Sequence, residues 1–263
     1  MINITKSKEN FKKFLNSYEI KDNESFKMRE MHTYRVAANA KYIAENLNLS
    51  DKDIELAELI GLLHDIGRFE ELKQTKTTCS NKFDHASYGV KILFDDGMIR
   101  EYIEDEKYDE IIKKAIGNHS KLKIENGLDD KTLLHSKIIR DADKLDIFYE
   151  VQDKKIEVIF PTIANNEEEI ENSLISDVVF ETIQKNQCVN TVDRITPLDY
   201  WVSILAFTFD LNFNVTLKKL KHNNYINILI NRFKYNDIIT KDRMEYIRKV
   251  LNEFIDKKSE LVL

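Results

Sequence analysis

Histidine and aspartate side chains recur between residues 32 and 143 in a pattern that suits metal coordination. The residues are His32, the adjacent pair His64 and Asp65, His85, His119 and Asp143. Nitrogen and oxygen donors without thiolates suit Fe, Mn, Co, Ni, Zn or Mg rather than Cu(I) or an iron–sulfur cluster. A helix terminus can aim the neighbouring His64 and Asp65 into one cavity, and a carboxylate can bridge two cations. The sequence therefore predicts a divalent-metal centre with Asp65 as the bridging group.

The rest of the composition narrows the class of protein. The two cysteines, Cys79 and Cys188, form no CxxC pair, which excludes a zinc-finger-like site and favours a reducing compartment. The N-terminal residues lack the apolar core of a signal peptide, and no later stretch approaches the ~20 apolar residues that span a bilayer. We therefore expect a cytoplasmic protein that does not bind membranes.

The net charge of -6 indicates which kind of molecule the protein binds. An acidic chain has no general attraction for polyanions, so binding of extended nucleic acid is disfavoured. A small phosphorylated substrate held by a metal fits this charge better. The oligomeric state is left open by the sequence.

The elements that position the candidate ligands are expected to be α-helices. The chain has only six glycines and two prolines, and many windows repeat apolar residues at helical spacing. All six glycines lie between Gly61 and Gly127, which concentrates the tight turns and close approaches in the segment that also holds His64, His85 and His119. The predicted fold class is all-α.

Start and stop signals place the helices approximately. Ser50 is expected to cap a helix that Gly67 stops, which puts His64 and Asp65 in its last turn. Residues 70–83 are polar and aperiodic and are expected to form a loop. Further helices are expected over residues 25–47 and 84–94, from about 108 to 119, and from about 131 onward.

The sequence divides into a polar lead-in at residues 1–24, a metal-binding core at 25–150 and a C-terminal helical region at 151–263 that packs on the core. In the last region, Thr196, Pro197 and Asp199 form a good helix start. The strongly apolar segment that follows could line a substrate pocket, but ordinary core is the favoured interpretation. The final helices are expected at about 215–235 and 241–258.

Three sequence motifs in the core resemble the HD superfamily of metal-dependent phosphohydrolases. They are MHTYRV around His32, LIGLLHDIGRF around His64 and Asp65, and IIRDADKLD around Asp143. The resemblance covers residues 25–150 and implies a helical bundle. It aligns Asp143, rather than Asp141, with the metal-binding aspartate of the family, which leaves Asp141 and Asp146 as supporting or surface groups.

The resemblance also bears on the number of ions. Members with two additional histidines often hold two metals, and His85 in FDHASYG and His119 in GNHSK match those positions by order and context. The resemblance therefore implies a dinuclear centre. The alternative is that both are core or helix-end histidines with structural roles. For His135 and His222, which lack a comparable motif, we prefer a role on a helix surface or in packing.

Two arginines follow the motif histidines at helical spacing. Arg35 and Arg68 lie three and four residues after His32 and His64, so either guanidinium could bind substrate phosphate. The alternative for each is an ordinary ion pair with one of the many carboxylates.

The expected activity is hydrolysis of a phosphate ester or anhydride, in a nucleotide or another small phosphorylated metabolite, by a metal-activated hydroxide. Asp65 or Asp143 could orient the attacking water. Two alternatives stay open, namely a di-iron oxygenase of the same superfamily and a nucleotide-sensing domain without catalysis. A nuclease fits less well, because the chain is acidic and has no recognisable DNA-binding module.

Overall fold

The structure is a computed structural model that describes residues 2–76 and 83–260. These residues contain no β-strand, so the predicted all-α class is confirmed. They form two compact units that meet in the chain between Asp146 and Ile147, whereas the sequence placed a boundary after residue 150. Within the described ranges, no helix has the length and apolar character needed to cross a membrane.

The first unit carries the candidate metal ligands. The last of its helices extends beyond the boundary at Asp146. Short 3-10 turns at Met98–Glu101 and Glu106–Tyr108 and a π-helical turn at Lys91–Asp95 lie between these helices. The described helices are α1 (Ile4–Asn16), α2 (Glu24–Asn46), α3 (Asp51–Leu63), α4 (Ile66–Thr75), α5 (His85–Val90), α6 (Asp109–Asn118) and α7 (Asp130–Glu150).

Side-chain caps fix where the ligand-bearing helices begin. The Asn23 side chain accepts a hydrogen bond from the backbone N–H of Ser25 at the start of α2. Ser50 caps α3 as predicted, and Asp84 caps α5 by accepting from the N–H of Ser87. These side chains satisfy backbone donors that have no partner inside the helix.

The N-terminal segment is more than a polar lead-in, because α1 is part of the first unit. Its apolar residues Phe11 and Leu15 are one helical turn apart and both are buried. The Phe11 ring lies 5.9 Å from that of Phe69 in α4, and Phe26 of α2 lies 4.9 Å from the same ring. An aromatic cluster therefore ties α1 to the helices that carry the site.

The predicted helix stop at Gly67 is wrong. α3 ends at Leu63, and α4 begins at Ile66, so Gly67 lies inside the second helix. A Cβ atom at this position would lie 2.1 Å from the backbone oxygen of His85. Glycine is needed here because α4 and α5 approach too closely for any side chain.

The predicted loop at residues 70–83 is also wrong in its first part. α4 continues to Thr75, and its C-cap residue Lys76 adopts a left-handed conformation with φ 61°. Residues 77–82, including Cys79, lie outside the described part of the chain.

Replacement of Gly67 by alanine should therefore destabilise the first unit. Because the new methyl group would overlap backbone atoms, we expect a loss of about 3 kcal/mol, the upper end of typical overpacking costs. Gly117→Ala is the matched control, since its Cβ would meet only a methyl group of Val90 at 3.8 Å. Urea denaturation of both variants tests the difference. Equal stability would contradict the close approach of α4 and α5.

The second unit contains the remaining helices. The described ones are α8 (Ile156–Ile159), α9 (Glu167–Glu171), α10 (Asp177–Gln184), α11 (Pro197–Ala206), α12 (Asn214–His222), α13 (Tyr225–Ile230) and α14 (Ile238–Glu260). The capping box of Thr196 and Asp199 at the start of α11 is present as predicted. Trp201 in α11 is fully buried and stacks edge-on against Phe233, which supports the core interpretation of this apolar segment.

The single helix predicted at residues 215–235 is wrong. The chain forms α12 and α13 instead, separated by a turn at Asn223 and Asn224. Asn224 adopts a left-handed conformation with φ 55°, which an α-helix cannot contain and which asparagine tolerates better than most residues.

Candidate metal centre

The structure brings all six predicted metal-binding residues together inside the first unit. Each lies on a helix or at a helix end, and five of the six are buried, with Asp143 slightly more exposed. The positions are His32 within α2, His64 at the C-cap of α3, Asp65 at the N-cap of α4, His85 at the start of α5, His119 at the C-cap of α6 and Asp143 within α7.

Four side-chain atoms form what we call the first group. Asp143 Oδ1 lies 3.2 Å from His32 Nε2 and 3.8 Å from His64 Nε2. Asp65 Oδ2 lies 3.8 Å and 3.7 Å from the same two nitrogens. Neighbouring ligands of one cation are about 3.0–3.4 Å apart when each bond is ~2.1 Å. A small contraction of this group would therefore enclose a divalent ion.

Three further atoms form the second group, namely the Nε2 atoms of His85 and His119 and the other oxygen of Asp65. Asp65 Oδ1 lies 3.5 Å from His85 Nε2 and 3.4 Å from His119 Nε2, and the two nitrogens are 3.1 Å apart. Each carboxylate oxygen of Asp65 thus faces one group. This is the arrangement that a bridging carboxylate requires.

Two of the histidines are oriented by the helix ends on which they lie. The Nδ1 atom of His64 is 2.8 Å from the Gly61 carbonyl, and that of His119 is 2.7 Å from the Ile116 carbonyl. Carbonyls in a last helical turn lack intrahelical donors, so each Nδ1–H has an acceptor close at hand. Because the proton is then on Nδ1, the Nε2 lone pair of each ring is available to a metal.

His32 is oriented by a carboxylate instead. Its Nδ1 lies 2.6 Å from Asp146 Oδ2, and Arg35 donates to both oxygens of Asp146, at 2.6 and 2.9 Å. Such carboxylate–histidine pairs fix the ring and raise its basicity toward a metal. The position of Arg35 favours the ion-pair alternative over direct phosphate binding, and it gives Asp146 the supporting role.

The residues present fit a divalent cation. His64 Nε2 is buried, and among the described residues it has no hydrogen-bond partner. An unpaired buried polar atom costs about 1–3 kcal/mol, so a sequence keeps one mainly where something binds it. A bound cation would satisfy this atom, and the two adjacent carboxylates would offset its charge.

The protonation states suit this interpretation. Burial lowers the pKa of His64 to about 4 and holds the pKa of His85 well below its ordinary value. Burial raises the pKa of Asp65, but the imidazoles of His64 and His119 outweigh burial and hold it well below its usual range. At neutral pH, therefore, His64 and His85 are neutral and Asp65 is ionised, which are the forms that bind metals.

The pKa of His32 is shifted in the opposite direction, and this shift gives a prediction about the pH dependence of metal binding. Burial lowers the pKa of His32, but hydrogen bonds to Asp143 and Asp146 outweigh burial and raise it to about 10. Below that pH the ring is protonated, whereas a metal ligand must be neutral, so ion binding at pH 7.5 should release about one proton. Affinity should then rise about tenfold per pH unit. Calorimetry in buffers of different ionisation enthalpy measures the protons released, and a value of zero would contradict this pairing.

Two more arginines lie beside the Asp65 carboxylate. Arg68 Nε is 3.7 Å from Asp65 Oδ1, and Arg29 Nη1 is 3.7 Å from Asp65 Oδ2. Arg68 also donates to the fully buried Glu71 at 2.6 Å. Sequence reasoning missed Arg29, although its position three residues before His32 places it on a neighbouring face of α2.

The two histidines without a motif lie elsewhere. His135 is buried, and its Nε2 is 3.4 Å from Asp53. His222 ends α12 in the second unit and is exposed. Neither belongs to the groups of His, Cys, Asp and Glu side chains that could hold an ion among the described residues.

Comparison with known proteins supports the sequence motifs. Residues 29–147 match the family model of the HD domain, a range that contains all six candidate ligands. Neither the curated proteins nor the solved structures give a significant match to this chain.

Proposed function

Residues 29–147 form an HD domain, which places the chain in the HD superfamily, and from this premise we propose that it hydrolyses phosphate esters or anhydrides with two divalent ions. Most members of this superfamily are metal-dependent phosphohydrolases. The observation that carries the proposal is the division of Asp65 between the two groups, with one oxygen facing His32 and His64 and the other facing His85 and His119.

Two ions held by these residues would supply the chemistry of a hydrolase, because bound divalent ions lower the pKa of coordinated water toward ~7 and neutralise charge on phosphoryl oxygens. The residues of the chain position the attacking water and the substrate phosphate. Asp65 and Asp143 are ionised and can each accept a hydrogen bond from an attacking water. Arg29 and Arg68 lie within 4 Å of Asp65, where their guanidinium groups can donate to phosphate oxygens.

We propose a small substrate, a nucleotide or another phosphorylated metabolite. The candidate ligands are largely buried, so a phosphoryl group reaches them more easily at the end of a small molecule than within a polymer. The net charge of -6 supports the same conclusion, since the chain as a whole does not attract polyanions.

A phosphate-release screen tests the proposal. Protein loaded with Mn²⁺ would be incubated with a panel of nucleotides and sugar phosphates, and protein stripped by a chelator would serve as control. We expect one preferred substrate class, no release by stripped protein and recovery when Mn²⁺ is restored. Absence of release across the panel, by protein that has retained its ions, would contradict the proposal.

The role of Arg68 gives a further prediction, whose test must take the contact between Arg68 and Glu71 into account. Removal of Arg68 alone would leave the buried Glu71 without this partner and would lower stability as well as activity. The variant that isolates the substrate contact is Arg68→Ala combined with Glu71→Gln, and Glu71→Gln alone is its control. We expect the double variant to keep its metal and to lose roughly ten- to a hundredfold in kcat/KM relative to the control.

Steady-state kinetics and thermal melting on the same preparations measure both effects. If kcat/KM is the same in the double variant and the control, Arg68 acts only as the partner of Glu71. Arg68→Lys should recover only part of the activity, because an ammonium group cannot make a two-pronged contact with phosphate.

A further inference from the structure

One buried arginine contacts the loop that follows α6. Arg140 lies on α7, one turn before Asp143, and its side chain is almost completely buried. Its Nη1 atom is 2.7 Å from the Asn118 carbonyl and 2.6 Å from the Lys121 carbonyl, with the His119 carbonyl at 3.3 Å. Its Nη2 atom is 3.3 Å from the Leu122 carbonyl. One guanidinium thus contacts four of the five backbone carbonyls from Asn118 to Leu122.

This turn needs donors from elsewhere. Carbonyls at the end of a helix have no intrahelical partner, and the residues just beyond α6 belong to no helix or strand. The guanidinium also places a positive charge at the negative end of the α6 dipole, where a cation is stabilising. Arg140 therefore supplies several of the hydrogen bonds that fix this segment, beside those from the Lys121 N–H to the Asn118 carbonyl and from the Glu125 N–H to the Asn118 side chain.

The contacts of Arg140 affect the candidate metal centre through His119. The His119 ring belongs to the second group, and its orientation depends on a hydrogen bond to the Ile116 carbonyl in the same last turn. The histidines of the first group are oriented independently, His32 by Asp146 and His64 by the Gly61 carbonyl. Movement of the turn after α6 would thus disturb the second group more than the first.

We propose that Arg140 is a positioning residue for the second metal ion, which it controls by fixing the turn that carries His119. The inference rests on the proposed two-ion centre and adds a residue that determines whether the second ion stays bound. Arginine suits the role because its planar group presents five N–H donors in a fixed arrangement. Lysine keeps the charge but concentrates three donors at one point, so it cannot span the carbonyls from Asn118 to Leu122.

Calorimetric titration of Mn²⁺ into wild type and Arg140→Lys tests the proposal. Wild type should bind two ions. In the variant, the first ion should bind as in wild type, whereas the Kd of the second should rise roughly ten- to a hundredfold, the usual cost of disturbing a group that orients a metal ligand. Arg140→Gln, which removes the charge as well, should show the same selective loss and serves if the lysine variant does not fold.

Arg243→Lys is the matched control, because Arg243 donates to the Ile175 carbonyl at 2.7 Å within the second unit. It should bind both ions as wild type does. In a His119→Ala background, Arg140→Lys should weaken Mn²⁺ binding no further. Equal weakening of both ions, unchanged binding of both, or a further loss in that background would overturn the proposal. Binding of a single ion by wild type would instead contradict the two-ion centre itself.

Discussion

Asp65→Ala should lose both metal ions and essentially all phosphate release while the chain remains helical. The carboxylate contributes one oxygen to each group, so its removal weakens both sites at once. It makes no capping hydrogen bond at the start of α4, and the fold should therefore tolerate the change. Metal content should fall from about two equivalents to well below one, and turnover by more than about a thousandfold, beyond the cost of losing one preorganised donor.

His64→Ala should have a similar effect on activity, because its Nε2 belongs to the first group. His135→Ala is the matched control for both variants, since His135 is a buried histidine that contacts Asp53 instead. Elemental analysis, circular dichroism and phosphate release on the same preparations make the comparison. Full metal occupancy with normal turnover in either Asp65→Ala or His64→Ala would refute the assignment of that residue.

His85→Ala should bind about one ion instead of two. His85 contributes only to the second group, where its Nε2 lies 3.1 Å from that of His119, and the first group keeps all of its side chains. Activity should fall strongly without total loss of metal, because a second cation stabilises charge on the phosphoryl group and its leaving oxygen. His119→Ala should give the same stoichiometry, with some loss of stability from the missing bond to the Ile116 carbonyl.

Elemental analysis measures this stoichiometry directly. If wild type holds one ion and both variants retain it, the second group does not bind metal and these histidines have structural roles.

The candidate site was predictable to the extent that it depends on local sequence. His64 and Asp65 are adjacent in the chain, and the capping residue Ser50 acts on its own helix, so short-range patterns reveal them. The helix boundaries near His85 and His119 follow from the same kind of signal. Convergence of the ligands could be expected only through the resemblance to a known family, because no local pattern determines how α2, α5 and α7 pack.

The features that the sequence left open or predicted wrongly depend on packing between distant segments. Gly67 looks like a helix stop in the sequence, and only the proximity of the His85 backbone shows why glycine is required. Arg35 is separated by 111 residues from Asp146, the partner that decides its role. Arg140 likewise acts on a turn about twenty residues away, where no spacing rule relates a side chain to a backbone carbonyl.

The most direct test of the two-ion hydrolytic centre is anaerobic phosphate release, followed as Mn²⁺ is added stepwise to stripped protein. We expect release without oxygen, with a rate that reaches its maximum near two equivalents of Mn²⁺ and that stays at background in Asp65→Ala. Absence of anaerobic release, together with substrate-dependent oxygen uptake by the iron-loaded protein, would contradict hydrolysis and favour the di-iron oxygenase alternative.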